Sequence, residues 1–185
     1  VLSAQDGYQR TPESQVEFFQ ANLDTLSEYI DAFEAMYSEP LIFDDALRIG
    51  LDEFVKQIVL ACETLIVVDG TGRVAGICIY NVRKNSNFEI MGWVAPEYRK
   101  GMANQRFVLR VYRDEILRYA WERLQCVKIS SSTHSENLAA IRFNKNVGLQ
   151  MIGRSRKEMM IQGELFDAYL FECINPAIDS KPIKV

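Results

Sequence analysis

Residues 87–122, NFEIMGWVAPEYRKGMANQRFVLRVYRDEILRYAWE, carry three local signals in unbroken succession. Over 88–94 the apolar residues fall on even positions, while Glu89, Met91 and Trp93 take the odd ones, which predicts a strand with two unlike faces. Ala95-Pro96 ends that strand, since proline brings no N–H to a ladder and fixes its own φ. The basic turn Tyr98-Arg99-Lys100-Gly101-Met102-Ala103 follows. Its glycine and small alanine let the backbone come close to a ligand at the first turn of a helix, where unpaired N–H groups suit phosphate. Val108, Val111, Tyr112, Ile116, Tyr119 and Ala120 then recur at helical spacing with one buried face, and Arg106, Arg110 and Arg113 occupy another.

Further on, Asn137-Leu-Ala-Ala-Ile-Arg-Phe-Asn-Lys-Asn-Val-Gly148-Leu149 forms a second motif. With it in view, 89–103 resembles the cofactor-binding segment of the GNAT superfamily of N-acetyltransferases, where a strand, a Pro-x-Tyr-Arg turn and a Gly-x-Gly/Ala helix start hold acetyl-coenzyme A. The second motif matches, at the same spacings, the Asn-x-x-Ser/Ala … Gly-Phe helix that follows the family's fifth strand. GELFDAY at 163–169 resembles the closing hairpin of the ribosomal-protein-alanine acetyltransferase branch.

The resemblance implies an α/β fold whose mixed, mostly antiparallel sheet holds a splayed parallel strand pair and is flanked by helices. It implies acetyl transfer from acetyl-coenzyme A, as co-substrate, to an amine by direct attack, a protein N-terminus being one such amine. It places the diphosphate on Arg99, Lys100, Gly101, Met102, Ala103 and Asn104, the pantetheine arm along Trp93, Val94 and Ala95, and a cofactor or capping hydrogen bond on Asn137. Glu89 is the candidate general base, because it lies on the cofactor strand where the related branch also has a glutamate. His134 is a second catalytic candidate, standing just beyond the C-terminal end of a parallel strand, where open α/β sheets place their sites. Many relatives carry a serine or tyrosine to assist the leaving sulfur; this chain has Ala140 and Asn144, and Asn144 can donate a hydrogen bond but not readily a proton. The turn departs too: either it is one residue shorter than the usual Arg-Gly-x-Gly-x-Gly/Ala, or Tyr98 takes the arginine's place.

The chain has 185 residues and a net charge of −4, enough for one well-buried core and short for two. The expectation is one domain over 1–175 and a tail over 176–185. Cys62, Cys78, Cys126 and Cys173 lie far apart and a single histidine accompanies them, so no metal site is expected and a reducing cytoplasm is the simplest setting. No apolar run approaches a membrane-spanning length. Acidic residues crowd 13–63, which reads either as solvated helices or as a surface that steers a cationic amine.

In chain order, Thr11-Pro12-Glu13 reads as a helix start. Val16, Phe19, Leu23, Leu26, Ile30, Phe33 and Tyr37 draw one apolar seam along a long helix, and Leu47, Leu51, Phe54, Val55, Ile58 and Val59 mark a second, giving a helix pair over 12–62. The seam packs on the chain's own core or serves a dimer, so monomer and homodimer both stay open. The family has a strand before these helices; the pattern shows none. A hairpin follows at 64–82, then the strand and helix already described, a strand over 126–132 parallel to 88–94, a helix over 136–146 capped by Ser135, and a hairpin of 151–161 with 165–174.

Two rivals stand beside the enzyme. One is a catalytically degenerate GNAT-fold binding or structural protein, since 112–119 and 137–148 are also similar to acetyltransferase-like accessory proteins of tailed bacteriophages. The other is a nucleic-acid binder using the arginine stripe, against which the acidic remainder argues.

Overall fold

The computed structural model describes residues 16–83 and 86–179. Seven strands form a mixed sheet: β1 (Val16–Gln20), β2 (Glu63–Asp69), β3 (Val74–Val82), β4 (Asn87–Val94), β5 (Lys128–His134), β6 (Gln150–Ile161) and β7 (Glu164–Ile174), in the order β1-β2-β3-β4-β5-β7-β6. Every neighbouring pair is antiparallel except β4 with β5. The reason lies in the link between them. α4 (Met102–Arg110) runs through a π turn (Val111–Ile116) into α5 (Leu117–Glu122), and a helical crossover returns the chain in the direction it left. This is the mixed sheet with one parallel pair that the sequence predicts.

The expected helix pair at 12–62 differs at both ends. Val16–Gln20 is not helix but an edge strand, paired with β2 from Val16↔Asp69 to Gln20↔Leu65. It is the strand the pattern failed to show. Val16 and Phe19 satisfy a helical step of three, and the adjacent Phe18 hides the alternation that would mark a strand. Helix begins only after Asn22, whose Oδ1 accepts from the Thr25 N–H at 3.0 Å while Thr25 Oγ1 accepts from the Asn22 N–H at 2.9 Å. That reciprocal cap opens α1 (Leu23–Glu28), and α2 (Ile30–Tyr37) follows. Leu26, Phe33 and Met36 are buried in the chain's own core. The second helix is shorter than predicted: α3 (Leu51–Phe54) continues as a π turn (Val55–Val59). The Thr11-Pro12-Glu13 start lies outside the described residues, as does 180–185 of the expected tail, whose first residues, Pro176–Asp179, form α7.

β2 and β3 are buried on both faces. Tyr80 donates to the Ile116 carbonyl at 2.7 Å from one side, and α2 packs on β3 from the other. α6 (Leu138–Val147) is capped by Asn137, whose Oδ1 accepts from the Ala140 N–H at 3.1 Å, and not by Ser135 as the sequence suggests. It closes on Gly148 at φ 111°, the left-handed conformation that glycine adopts without strain.

Candidate active site

β4 and β5 stay together for only three steps, Asn87↔Lys128, Phe88↔Ile129 and Glu89↔Ser130. Beyond them both strands continue, and a cleft of about 540 Å³ opens between them. The hydrogen-bond alternation of β4 shows what its edge presents there. The Arg83 N–H bonds to Asn87 O and the Ala95 N–H to Ala75 O, so odd-numbered residues turn their backbone groups to β3. Even-numbered ones therefore turn theirs to the cleft, as the Ser130 Oγ bond to Phe88 O at 3.3 Å illustrates. Of the residues assigned to the pantetheine arm, only Val94 faces the cleft with its backbone; Ile90 and Gly92, which the sequence reading passed over, do so as well. Ala95 is buried against β3.

Gly92 and Gly76 lie under the π turn. A Cβ on Gly92 would stand 3.2 Å from the Tyr112 ring, and one on Gly76 would meet Trp93 O at 2.6 Å. The space they leave admits the Tyr112 hydroxyl, 3.1 Å from Trp93 O and 3.2 Å from Ile77 O, which fastens the end of β4 to the long helix.

At the rim, the 3₁₀ turn Pro96–Arg99 and Gly101 (φ 81°) lead into α4. Lys100, Gly101, Met102, Ala103 and Asn104 are exposed, and Arg99 and Gln105 on either side of them line the cleft. Two amides brace the short turn: Asn104 Nδ2 donates to Glu97 O at 2.9 Å and Gln105 Nε2 to Arg99 O at 3.0 Å. Arg99 is committed as well, its Nε donating to Val94 O at 2.7 Å and its guanidinium pairing with Glu39. Both cations of this turn are exposed, and Lys100 is the one without an ion-pair partner among the described residues. Tyr98 anchors the turn by donating to the Asp69 carboxylate. Burial would raise the Asp69 carboxyl, but bonds from Tyr98, Thr71 and Arg73 outweigh it and hold it at about 2.

α6 forms the facing wall. Asn137 lines the cleft while capping its own helix, and Asn144 Nδ2 donates to Thr133 Oγ1 at 2.9 Å, tying the helix to β5. These groups share the sheet face of α4.

The opposite face carries Glu89, Met91 and Trp93 of β4 beside Ser130, Ser132 and His134 of β5, as the pairing register requires. Glu89 sits at the last paired step, is held by Arg83 and does not line the cleft. His134 is 1% exposed, its ring 4.4 Å from that of Phe166. Its Nδ1 accepts from the Glu136 N–H at 3.1 Å, so the proton rides on Nε2 and that atom is a donor. Among the described residues, Trp93 Nε1, Ser132 Oγ, His134 Nε2 and Asp44 Oδ1 are buried without a hydrogen-bond partner. Each such group costs about 1–3 kcal/mol unless something else satisfies it.

The structure thus joins the two motifs across one cleft and leaves Glu89 and His134 outside its lining. Sequence reasoning reached Gln105, the end of the stretch it gave to the phosphates, and missed the Glu39–Ile42 loop and Ser131 and Ser132 of β5. The run Ser130-Ser-Ser-Thr133 offered a signal, since hydroxyls in a strand between apolar neighbours suit an edge that is not fully paired.

No protein-family model and no curated protein matches the sequence. Solved structures do. A GNAT-family acetyltransferase from Bacillus anthracis matches over 86% of this chain and 94% of its own, with TM-score 0.67 and 14% identity. The spermidine/spermine N-acetyltransferase of Vibrio cholerae matches over 92% of this chain and 100% of its own, with TM-score 0.65 and 18% identity. The chain has the GNAT fold. At such identities the GNAT likeness is one of backbone course, so the chemistry rests on the site itself.

Proposed function

We propose that this GNAT-fold chain is an acetyl-coenzyme A dependent N-acetyltransferase acting on an amine, with a protein N-terminus as the finer reading of its acceptor. The observation that carries the proposal is the parting of β4 from β5 over a cleft whose rim is the start of a long helix. The residues present fit the co-substrate. The edge of Ile90 and Gly92, with the Val94 N–H, offers backbone groups to an amide-bearing arm, the Val94 carbonyl being taken by Arg99, and the first turn of α4 offers N–H groups and a partial positive charge to a diphosphate. Acetyl-coenzyme A supplies an acetyl group activated as a thioester.

An amine nitrogen attacks the thioester carbonyl, the C–S bond breaks and the sulfur leaves as thiolate, which takes up a proton; the nitrogen gives one up. Glu89 serves as its base through water, since Arg83 holds the carboxylate back from the cleft. Asn137 and Asn144 shape the wall that receives the sulfur. No cysteine lines the cleft, and burial pushes the thiols of Cys78 to about 12 and Cys126 to about 11, which favours direct attack over a covalent intermediate. All four cysteines are free, which suits the reducing cytoplasm, and among the described residues no helix is long and apolar enough to cross a membrane.

Calorimetry with acetyl-coenzyme A at low and high salt tests the reading. Binding is expected to weaken markedly with salt, because Arg99 is engaged and exposed Lys100 supplies much of the attraction. Gly101→Val should abolish it, since φ 81° is strained for a side chain bearing Cβ. No detectable heat at millimolar acetyl-coenzyme A would overturn the proposal. A second reading, a binding protein without turnover, is favoured by the ion pair that already engages Glu89, together with Ala140 and Asn144 at the positions where many of the relatives it resembles carry a serine or tyrosine.

A further inference from the structure

Among the described residues that line the cleft, Glu39 is the one carboxylate, and it is paired with Arg99 beside the diphosphate site proposed above. Arg99 reaches across the mouth of the split. Its Nε takes the Val94 carbonyl at 2.7 Å and its Nη2 donates to Glu39, so a single side chain covers a carbonyl of the β4 edge and spends its charge on an acid. The pair is open to a charged ligand, its side chains being 40% and 24% exposed.

The loop that carries Glu39 is tied down by other groups. Arg48 donates to Tyr37 O at 3.3 Å and to Glu39 O at 2.7 Å, and the Asp45 carboxylate accepts from the N–H groups of Gln162 and Gly163 at 2.9 Å each. The Glu39 backbone therefore keeps its place when its side chain lets go of Arg99, and the exchange needs no loop movement. A carboxylate that only oriented Arg99 would stand behind it, away from the ligand. Glu39 instead lines the cleft, where it masks the cation and repels a diphosphate.

We infer that the Glu39–Arg99 pair is an autoinhibitory latch on the rim: Arg99 exchanges Glu39 for the diphosphate as acetyl-coenzyme A enters, and Glu39 takes Arg99 back as coenzyme A leaves. The inference rests on the transferase reading and adds a regulation of its site. A part-exposed ion pair is worth about fivefold or less in an equilibrium constant, small enough to be broken and remade at every turnover. A contact that opposes binding weakens the co-substrate and the spent coenzyme alike, which speeds release of the product.

Calorimetry of the full chain with acetyl-coenzyme A, and separately with coenzyme A, tests the latch. Glu39→Gln should tighten both by about fivefold, and Glu39→Asp, whose shorter side chain keeps the charge but not the reach, gives a second reading should the first variant fail to fold. In an Arg99→Ala background, Glu39→Gln should change affinity by less than about twofold, the non-additivity that a double-mutant cycle reads. Unchanged or weaker binding without the Glu39 carboxylate overturns the inference and makes Glu39 a brace for Arg99. An equal gain with and without Arg99 overturns it as well, since repulsion by the acid alone then accounts for the effect. Failure of the unaltered protein to bind acetyl-coenzyme A removes the transferase reading, and the latch with it; binding without these shifts removes the latch alone.

Discussion

Glu89 shows how a motif position and its environment can point apart. Its place on β4 argues for a base, whereas its ion pair with Arg83 at the foot of the split argues for a structural acid. If it takes the proton through water, Glu89→Gln lowers kcat by about 100-fold with little change in affinity for acetyl-coenzyme A. Unchanged turnover across the pH range would take it out of the mechanism. Asn137 was legible as an ambiguity, and the structure shows why both readings stood: one oxygen caps α6 while the residue lines the cleft. Tyr112 was not legible, because an apolar helical position and a hydroxyl placed by a π turn look identical in the sequence.

Among the elements, the turn before α4 depends on a residue far from it in the chain. Asp69 closes the β2–β3 turn with one oxygen and accepts from Tyr98 with the other. Its folded pKa, about 2, lies below the ordinary 3.8, so its contribution is complete above pH 4 and is lost as pH falls toward 2. That loss is on the order of 2 kcal/mol. Thermal melts between pH 2 and 5 should show the gap between the unaltered protein and Asp69→Asn narrowing with acid; a constant gap would mean that the carboxylate's charge adds nothing to the bonds from Tyr98, Thr71 and Arg73. The β2–β3 hairpin and the strand-turn-helix of β4 and α4 were readable because their local chemistry and tertiary role agree. β1 was not, since its two adjacent phenylalanines fit either period and only pairing with β2 decides between them. The unpartnered side chains of Trp93, Ser132 and His134 were equally hidden, because which face of β5 they share with β4 follows from the register between the two strands.

In the whole molecule, β1 to β4 are each hydrogen-bonded to their sequence neighbour, and β5, β7 and β6 form a second block. Three register pairs and one long helix join the blocks. With only three register pairs against five or more at every other junction, the β4–β5 seam is expected to be the first part of the sheet to open. Hydrogen exchange reads this directly: amides of β2 and β3 should be the slowest, those of Ile90, Gly92 and Val94 among the fastest in the sheet, and acetyl-coenzyme A should slow the latter group. Uniform protection through β3, β4 and β5 would contradict it. A sheet joined in this way works as two rigid plates on a short hinge, and a ligand lying between the plates supplies the strand-like pairing that the chain itself leaves unmade.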